Sequence, residues 1–326
     1  MVLPFRDAQS TLGEALRSIR TQTVRAWECV LVDNESRDAS SAIAARACER
    51  DQRFRLIARQ GGLVDALNAG VAAARAPFVA RMDADDVSHP RRFEDQIALL
   101  RADPSLSIVS CLVSTFAAVA VREGMQRYVA WLNSVRTPSE IRNALFVESP
   151  LAHPSVVMRR EAVHAVGVYS AGDGPEDYDL WMRLLLGGHR AAKVPKVLLR
   201  WRDSGQRLTR SDPRYHAQRF FDTKLRYFDR VVTPGSCIQI WGAGPIGRSW
   251  ARALSRAGYP IRRFIDIDPR KYGREHCGAR VEPPAALKRG GGFVVAAVGR
   301  PGARALIERH LQLRGFRPWD DYLSVA

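Results

Sequence analysis

Short apolar runs alternate with longer segments of helical periodicity along the first half of the chain. The apolar runs are "MVLP", "WECVLVD", "FRLIA" and "PFVARMD", and the segments between or after them are "AQSTLGEALRSIR", "ASSAIAARACER", "GLVDALNAGVAAAR" and "RFEDQIALLR". Strand, helix and strand in this order predict an α/β fold with a mainly parallel sheet and flanking helices. Ligands of such sheets bind at the carboxyl ends of the strands, so Asp33 and Asp83 are predicted to share one edge.

The residue pattern changes near residue 231, where a break precedes a new series of predicted elements. The segment "VVTPGS" is a Pro/Gly break, and "CIQIWGAGPIGRSWARALSRAG" after it reads as a strand, a glycine loop and a helix. The pattern predicts two domains, residues 1–230 and residues 231–326. Because only about half of a dinucleotide-binding fold fits the second range, we expect a small Rossmann-like α/β domain there.

Composition and charge narrow the class of protein. The chain has 326 residues, 46% hydrophobic and 26% charged, with a net charge of +16 carried almost entirely by arginine. Arginine suits phosphate-rich ligands and anionic lipid head groups. Since no nucleic-acid-binding motif or focused basic patch is present, nucleic acid is excluded as the expected partner.

Cysteine usage and hydropathy indicate the compartment. The five cysteines show no CxxC spacing, which argues against a disulfide framework or a zinc site. The longest uncharged run, residues 105–121, is shorter than the roughly 20 residues of a spanning helix and is predicted to be a buried strand. A cytoplasmic protein is expected, with peripheral contact with an anionic membrane left open.

Three carboxylates crowd the segment "RMDADDVSHP", at Asp83, Asp85 and Asp86. Two carboxylates about 5 Å apart repel by roughly 3 kcal/mol at an effective dielectric near 20, so the cluster requires a positive partner. One interpretation is that Ser88 caps a following helix whose dipole favours the acids. The other is that strand alternation turns Asp83 and Asp85 to one side, with Asp86 opposite, and that the two acids bind Mg²⁺ or Mn²⁺ and a substrate diphosphate.

Six motifs in order resemble those of the family 2 glycosyltransferases, which have the GT-A fold, across roughly residues 1–230. They are "LPFRDAQSTLGEALRSIRTQT", "VLVDNESRDAS", "GLVDALNAG", "ARMDADD", "HPSVVMRREAV" and "GPEDYDLWMRL". The resemblance implies a mixed, mainly parallel sheet and a nucleotide-sugar donor, UDP-linked or with another base. It implies that Asp33 contacts the nucleobase, Asp83 the ribose and Asp85 the metal, and it places Pro4 at the donor site. For Asp33, a turn formed by "DNES" is the simpler alternative.

A second acidic cluster lies in "GPEDYDLWMRL". Acids in a first helical turn are favoured by the helix dipole, and Asp179 is placed to pair with Arg183. The resemblance implies that Asp177 is the general base and that Glu176 supports it. An acceptor hydroxyl needs such a base, because proton removal during attack contributes about 10² to 10⁴ in rate. In-line displacement with inversion at the anomeric carbon is the reaction implied.

His153 and Arg81 have two interpretations each. His153, in "LAHPS", corresponds to a His-Pro position of the family and is an acceptor-side candidate, or else a structural histidine. Arg81 stands beside the acidic cluster, and a salt bridge to one of the acids is the simpler expectation.

The sequence departs from the family pattern at two places. It begins at "MVLPF", which suggests a truncated or misassigned start and a weakened nucleotide site. In "RWRDSGQRLT", Ser204 stands where the family often has a histidine that contacts the metal, and Asp203 or water is a substitute.

The glycine loop of the second domain has GxGxxG spacing at Gly242, Gly244 and Gly247, and Asp266 follows at the end of the next strand. Such glycines allow a pyrophosphate to approach a helix start, and the acid can hold ribose hydroxyls. The segment is similar to the small Rossmann-like unit that precedes the hexapeptide-repeat domain of some bacterial sugar acyltransferases. Nucleotide binding, a packing or oligomerisation module, and NAD chemistry stay open.

The leading hypothesis is a metal-dependent, inverting glycosyltransferase that transfers a sugar to a glycan or lipid-linked acceptor in surface polysaccharide synthesis. An NAD(P)-linked oxidoreductase using the second domain is one rival, although no hydride-site residue is recognisable. A non-catalytic nucleotide-sugar binding protein is the other. A homo-oligomer is compatible with all three.

Overall fold

The structure is a computed structural model that describes residues 1–117, 120–204 and 208–326. Its strands are β1 Val2–Phe5, β2 Cys29–Asp33, β3 Phe54–Ala58, β4 Phe78–Ala80, β5 Val87–Ser88, β6 Leu106–Phe116, β7 Val157–Arg159, β8 Arg190–Arg202, β9 Ile238–Trp241, β10 Ile261–Ile265, β11 Glu275–His276, β12 Ala279–Glu282, β13 Phe293–Ala296 and β14 Tyr322–Ser324. Its α-helices are α1 Leu12–Arg20, α2 Ser40–Arg50, α3 Leu63–Ala73, α4 Arg92–Ala102, α5 Glu123–Ser134, α6 Pro138–Ala144, α7 Arg160–Ala165, α8 Glu176–Leu186, α9 Leu208–Ser211, α10 Ala217–Arg226, α11 Pro245–Arg256 and α12 Ala303–Leu313. The predicted strands and helices of the first half all form.

Contacts divide the chain into two compact units. The first consists of residues 1–142 and 150–220, and the second of residues 143–149 and 221–326. Residues 221–230 join the second unit because their aromatic rings pack there: Phe221 and Phe228 lie with ring centroids 4.9 and 5.9 Å from that of Trp250. The sequence alone places residues 143–149 and 221–230 in the first domain, since neither segment carries a break in composition.

Two sheets build the first unit. Strands β1, β2 and β3 form a parallel sheet in that order, and β4, β7, β6, β8 and β5 form a mixed sheet in which β6 and β8 are parallel. Strand β2 is buried along its whole length, as expected for a parallel strand covered on both faces. The predicted mixed α/β fold with parallel strands and flanking helices is confirmed; in the five-stranded sheet the pairs β4–β7, β6–β7 and β5–β8 are antiparallel.

The helix α3 packs unusually close to β1, and a glycine makes this approach possible. A Cβ atom on Gly70 would lie 2.3 Å from Cγ1 of Val2. A larger residue would push the helix away from the strand that carries Pro4. The close packing thus supports the edge of the sheet on which the candidate site lies.

Buried polar side chains of α4 bond the backbone of the mixed sheet and the segments next to it. Gln96 in α4 donates from Nε2 to the carbonyls of Val109 and Ser155, at 2.7 and 2.8 Å. Arg92, which is fully buried, donates from Nη2 to the carbonyl of Arg81 at 2.8 Å. These bonds fix the backbone of the segment that leads from β4 into the acidic cluster.

The second unit is built on one sheet with the order β11, β12, β10, β9, β13 and β14. The pairs among β12, β10, β9, β13 and β14 are parallel, and β11 pairs antiparallel with β12. Strand β9 with Gly242 after it and helix α11 is the predicted strand, glycine loop and helix. Across the described ranges, helices long and apolar enough to traverse a bilayer are absent.

Candidate active site

The carboxyl ends of β1 and β2 carry Pro4 and Asp33. Pro4 pairs with Val32, and Phe5 pairs with Asp33, so the two candidate residues lie at the same level of the sheet. The Oδ1 atom of Asp33 accepts from the Ser36 amide at 3.0 Å, and Oδ2 accepts from the Ser41 hydroxyl. The turn expected of "DNES" therefore forms, with Asp33 as its acceptor.

The acidic segment reaches the same edge through β1. Arg81 forms a parallel bridge with Val2, and the Met82 amide donates to the Val2 carbonyl at 3.3 Å. Asp83 follows directly, so it comes level with the strand end that holds Pro4. Asp33 and Asp83 share one edge of the sheet, as the pattern predicts.

Asp83, Asp85 and Asp86 form a turn instead of an extended strand end. The Asp86 amide bonds the Asp83 carbonyl at 3.4 Å, and one carboxylate oxygen of each residue lies within 4.8 Å of the others. The alternation that places Asp86 on the opposite side is wrong, because the chain must turn here to enter β5. The Ser88 cap is also wrong: Ser88 lies in β5, and α4 begins later, at Arg92.

Arg202, at the end of β8, holds this turn in place. Its amide donates to Oδ1 of Asp86 at 2.8 Å, and its Nε donates to the Asp85 carbonyl at 2.7 Å. The guanidinium also pairs with Glu14 of α1. Asp86 is buried, whereas Asp83 and Asp85 are partly exposed, so these two carboxylates present the accessible oxygens.

Arg81 makes the salt bridge that the sequence suggests. Its Nη2 lies 2.6 Å from Oδ1 of Asp83, and its side chain is only 4% exposed. Within the described part of the chain, its Nε and Nη1 atoms have no hydrogen-bond partner. The guanidinium is therefore a concentrated positive charge beside the acidic turn.

The second acidic pair begins helix α8, directly after Pro175. Glu176 is buried and accepts hydrogen bonds from the Tyr215 hydroxyl at both carboxylate oxygens, at 2.9 and 2.7 Å. Asp177 is half-buried, and its Oδ1 accepts from the Tyr178 amide at 2.7 Å. Asp179 pairs with Arg183 at 2.8 Å, which confirms the expected intrahelical bridge.

The surroundings of Asp177 favour its protonated form. Burial and the neighbouring Glu176 carboxylate raise the pKa of Asp177 to about 7, and Arg81 acts in the opposite direction. A carboxylate with a pKa near the working pH is suited to accept a proton during a reaction. Arg81 therefore acts electrostatically on both acidic groups.

His153 lies behind Glu176. Its Nδ1 is 3.8 Å from Oε1 of Glu176, its Nε2 is 2.8 Å from the Tyr169 hydroxyl, and its ring packs edge-on against Trp181. Burial and the charge of Arg81 hold the pKa of His153 well below its ordinary value, so the ring is neutral near pH 7. The structure gives His153 a contact with the acidic pair, and its acceptor-side role stays a prediction.

The motif "GLVDALNAG" contributes through Asn68. Its side chain donates from Nδ2 to the carbonyl of Tyr169 at 2.9 Å and accepts from the Tyr169 amide at 3.0 Å through Oδ1. This two-point contact from α3 fixes the loop whose tyrosine bonds His153. The motif is therefore linked to the acidic pair indirectly, through Tyr169 and His153.

Asp203 and Ser204 occupy the position of the missing histidine. Asp203 is buried and pairs with Arg210, and its amide donates to the Phe116 carbonyl at 2.8 Å. It does not belong to the group of acids that converge around Asp85. The ion pair with Arg210 argues against Asp203 as a substitute metal ligand.

In the second unit, the glycines of the GxGxxG segment allow tight packing. Gly242 has φ +114°, and a Cβ on Gly247 would lie 1.8 Å from the Gly242 carbonyl oxygen. Nothing lies within 4 Å of the position of a Cβ on Gly244. Glycine is thus required at Gly242 by its backbone conformation and at Gly247 by close packing, independently of any ligand.

Asp266 has hydrogen-bond donors from its own unit around it. Its Oδ2 accepts from the Ala243 amide at 2.9 Å and from Lys271 Nζ at 2.8 Å, and its Oδ1 accepts from the Asp268 amide at 3.0 Å. These contacts offset burial and lower the pKa of Asp266. Nucleotide binding at Gly242, Gly244, Gly247 and Asp266 stays a prediction.

Sequence reasoning missed Tyr215, Tyr169 and Arg202 as parts of the site. Tyr215 lies 39 residues after Glu176, and Arg202 lies 116 residues after Asp86. No periodicity or short spacing connects such pairs, because the tertiary fold alone brings them together. The aromatic and arginine content of "SDPRYH" and "LLRWR" is the only local signal.

Comparison with protein families gives a match over the first half of the chain. The model of the family described as "Glycosyl transferase family 2" matches residues 1–167. The amylovoran biosynthesis glycosyltransferase AmsE of Erwinia amylovora is 31% identical over 199 residues, covering 60% of this chain and 72% of the relative. The UDP-Gal:alpha-D-GlcNAc-diphosphoundecaprenol beta-1,3-galactosyltransferase of Escherichia coli is 27% identical over 206 residues, covering 63% and 73%.

Solved structures show the same fold at low identity. S. aureus TarS 1-349 in complex with UDP-GlcNAc aligns with a TM-score of 0.54 and 16% identity, over 78% of this chain and 70% of that one. The mannosyltransferase PcManGT from Pyrobaculum calidifontis, in complex with GDP-Man and Mn²⁺, aligns with a TM-score of 0.51 and 19% identity, over 78% and 72%. Residues 231–326 lie outside the range of the family match.

Proposed function

Because this chain belongs to glycosyl transferase family 2 and is a glycosyltransferase, we propose that it transfers a sugar with inversion from a nucleoside diphosphate donor to an acceptor hydroxyl. The acceptor we propose is a glycan or a lipid-linked glycan of a surface polysaccharide. AmsE is named for amylovoran biosynthesis, and the E. coli relative is named for a diphosphoundecaprenol acceptor. These names support the acceptor class.

The donor is proposed to bind at the shared edge of β1, β2 and the acidic turn. Asp33 would contact the nucleobase and Asp83 the ribose, with Pro4 forming the floor between them. The register that brings Pro4 beside Val32 and Asp33 supports this arrangement. The salt bridge from Arg81 fixes the direction of the Asp83 carboxylate, which suits a group that accepts hydrogen bonds from hydroxyl groups.

A divalent cation, Mg²⁺ or Mn²⁺, is proposed to bind at Asp85. The donor set fits, because three carboxylates converge within 4.8 Å and hard oxygen ligands are what these ions prefer. When bound, such an ion would stabilise the negative charge that grows on the departing diphosphate. Asp86 orients the turn through the Arg202 amide and so presents Asp85.

Asp177 is proposed to be the general base. Its carboxylate would take the proton from the acceptor hydroxyl as the hydroxyl oxygen attacks the anomeric carbon and the bond to the nucleoside diphosphate breaks. Glu176 would support it from the preceding position, and the Tyr215 hydroxyl would keep Glu176 in place through two short contacts. His153, neutral and packed on Trp181, supports the same carboxylate from behind.

One observation carries the proposal: a single buried guanidinium joins the two acidic groups. Arg81 is bonded to Asp83 in the turn, and its charge acts on Glu176 and Asp177 at the start of α8. Arg81 therefore interacts both with the turn proposed to hold the donor and with the residue proposed to be the base. A helix cap or a loop turn would require no such convergence.

The experiment is calorimetric binding of UDP, GDP, CDP and dTDP to the full chain, with Mn²⁺ and with EDTA. We expect one nucleotide to bind in the presence of Mn²⁺ and the affinity to fall at least roughly tenfold in EDTA. The Asp85→Asn variant should lose the metal dependence. Glu49→Gln, which removes one exposed carboxylate from α2, is the matched control and should bind like the wild type.

Binding that is equal with and without metal would contradict the role of Asp85. Binding that survives in Asp85→Asn but disappears in an Asp266→Asn variant would transfer the nucleotide site to the second unit. Donor binding with no turnover of any nucleotide sugar would favour a non-catalytic binding protein over the transferase.

A further inference from the structure

A basic cleft lies in the second unit, at the edge of the sheet where β9 and β13 begin. It has a volume of ≈ 540 Å³. Four cationic side chains line it, namely Arg262, Arg263, Lys288 and Arg289. The glycine loop after β9 lies at the other end of that strand, so the cleft and the GxGxxG segment are different places on the unit.

The positive charge of the cleft is only partly neutralised by the protein. Arg263 pairs with Glu282, and Arg289 pairs with Asp321 at 3.3 Å. Among the described residues, the Lys288 side chain has no hydrogen bond or ion pair, and the Arg262 side chain has only a 3.3 Å bond to the Gly291 carbonyl. Two cations therefore face the cleft without a carboxylate partner from the described residues.

One of the paired arginines also has unused hydrogen-bonding capacity. Arg263 donates from Nη1 to the Ala286 carbonyl at 3.1 Å, but its Nε has no partner within the described ranges. Its side chain is 18% exposed. The Nε atom is itself buried, so Arg263 would act on an anion in the cleft through the charge of its partly exposed guanidinium.

A glycine turn, whose residues Gly290 and Gly291 line the cleft, lies beside these side chains in the chain. Gly290 and Gly292 have φ +79° and +120°, and a Cβ on Gly292 would lie 2.5 Å from the Cys237 carbonyl oxygen. Gln239, almost fully buried, donates from Nε2 to the Gly292 carbonyl at 3.0 Å. The turn is thus held in one conformation and leaves the cleft open beside the cations.

We propose that this cleft binds a phosphate-bearing anion. Guanidinium groups match the geometry of phosphate oxygens, and a lysine adds a compact charge beside them. The cleft has the volume of a small-ligand site, large enough for one or two phosphate groups. The phosphate could come from a soluble phosphate ester or from the head group of an anionic lipid, and the two sources are separable by experiment.

The experiment uses the full chain in EDTA, so that no metal-bridged nucleotide site contributes. Inorganic pyrophosphate is titrated by calorimetry, and vesicles of phosphatidylcholine with and without phosphatidylglycerol are tested by co-sedimentation. The variant is Arg262→Gln with Lys288→Gln. The matched control is Arg256→Gln with Arg309→Gln, which removes the same charge from exposed positions outside the cleft.

We expect the cleft variant to weaken binding roughly tenfold or more and the control to leave it within about twofold. Such a loss of pyrophosphate binding supports a soluble phosphate ligand. The same selectivity seen only with phosphatidylglycerol vesicles supports a lipid head group. The absence of binding in both assays, or equal weakening by the two variants, would overturn the proposal.

Discussion

The acidic turn of the first unit and the glycine loop of the second unit are the same kind of structure used differently. Each follows a strand, β4 in the first unit and β9 in the second. Asp83 lies in the acidic turn itself, whereas Asp266 follows β10 and bonds the glycine loop through the Ala243 amide. In the first unit, Asp83 and Asp85 lie partly exposed on a turn braced by Arg202. In the second unit, Asp266 is buried and accepts three hydrogen bonds from its own unit.

The difference teaches that a motif at a strand end does not by itself make a binding site. Whether such a motif can bind a ligand depends on how many of its polar groups already have hydrogen-bond partners within the fold. The Asp266 carboxylate accepts from the Ala243 and Asp268 amides and from Lys271, and Gly247 packs against the Gly242 carbonyl, so these groups already have partners inside the unit. In the first unit, Asp83 pairs with Arg81 and Asp86 accepts from the Arg202 amide, yet an oxygen of each of the three carboxylates still lies within 4.8 Å of the others, a group that could hold a cation.

The largest expected effect is that of Asp177→Asn, which tests whether the first unit, beyond holding a donor at the acidic turn, also carries out the transfer. The amide keeps the shape of the side chain but accepts no proton, so transfer should fall by about 10² to 10⁴. Donor binding, measured by calorimetry with Mn²⁺, should change by less than about threefold. A variant that retains transfer would remove α8 from the chemistry and leave the first unit with a binding role only.

A pH profile sharpens the same assignment. Since Asp177 must be deprotonated to act as a base and its pKa is raised to about 7, transfer should rise with pH and level off above that value. At pH 5 the active fraction should be about one hundredth of the plateau, for a single titrating base. Initial rates at saturating donor and metal check this, and a flat profile between pH 5 and pH 8 would exclude Asp177 as the base.

The packing role of the glycine loop is tested by Gly247→Ala beside Gly244→Ala. The first substitution places a methyl group against the Gly242 carbonyl and should destabilise the second unit by about 3 kcal/mol or more. The second enters open space at a negative φ and should stay within about 0.5 kcal/mol. Urea unfolding of the full chain measures both, and equal effects would break the structural interpretation.

Among the variants expected to lose function or stability, Asp266→Asn has the smallest effect. The amide NH₂ would face the Ala243 amide and Lys271, so a loss of about 1 to 3 kcal/mol is expected near pH 7. Because contacts hold the pKa of the folded carboxyl below that of the unfolded chain, this stabilisation is present above the unfolded pKa and is lost as the pH falls through the folded value. Metal-dependent donor binding should be unchanged, and its loss would move the nucleotide site to the second unit.

Much of this protein follows from local patterns in the sequence. The alternation of apolar runs and helical segments determines the order of strands and helices, because burial of one face requires the matching period. The strand-end positions of Asp33 and Asp83, the Asp179 bridge to Arg183 and the salt bridge of Arg81 follow from spacing. These features depend on residues that are neighbours in the chain.

The tertiary structure alone decided the rest. It turned the segment from Asp83 to Asp86 out of the strand, assigned residues 221–230 to the second unit through aromatic packing, and brought Tyr215 to Glu176 and Arg202 to the acidic turn. It also bonded Asp266 to its own unit and assembled the basic cleft from separate strands and turns. The physical reason is the same in each case: hydrogen bonds and charge interactions between groups far apart in sequence depend on distances that no local periodicity contains.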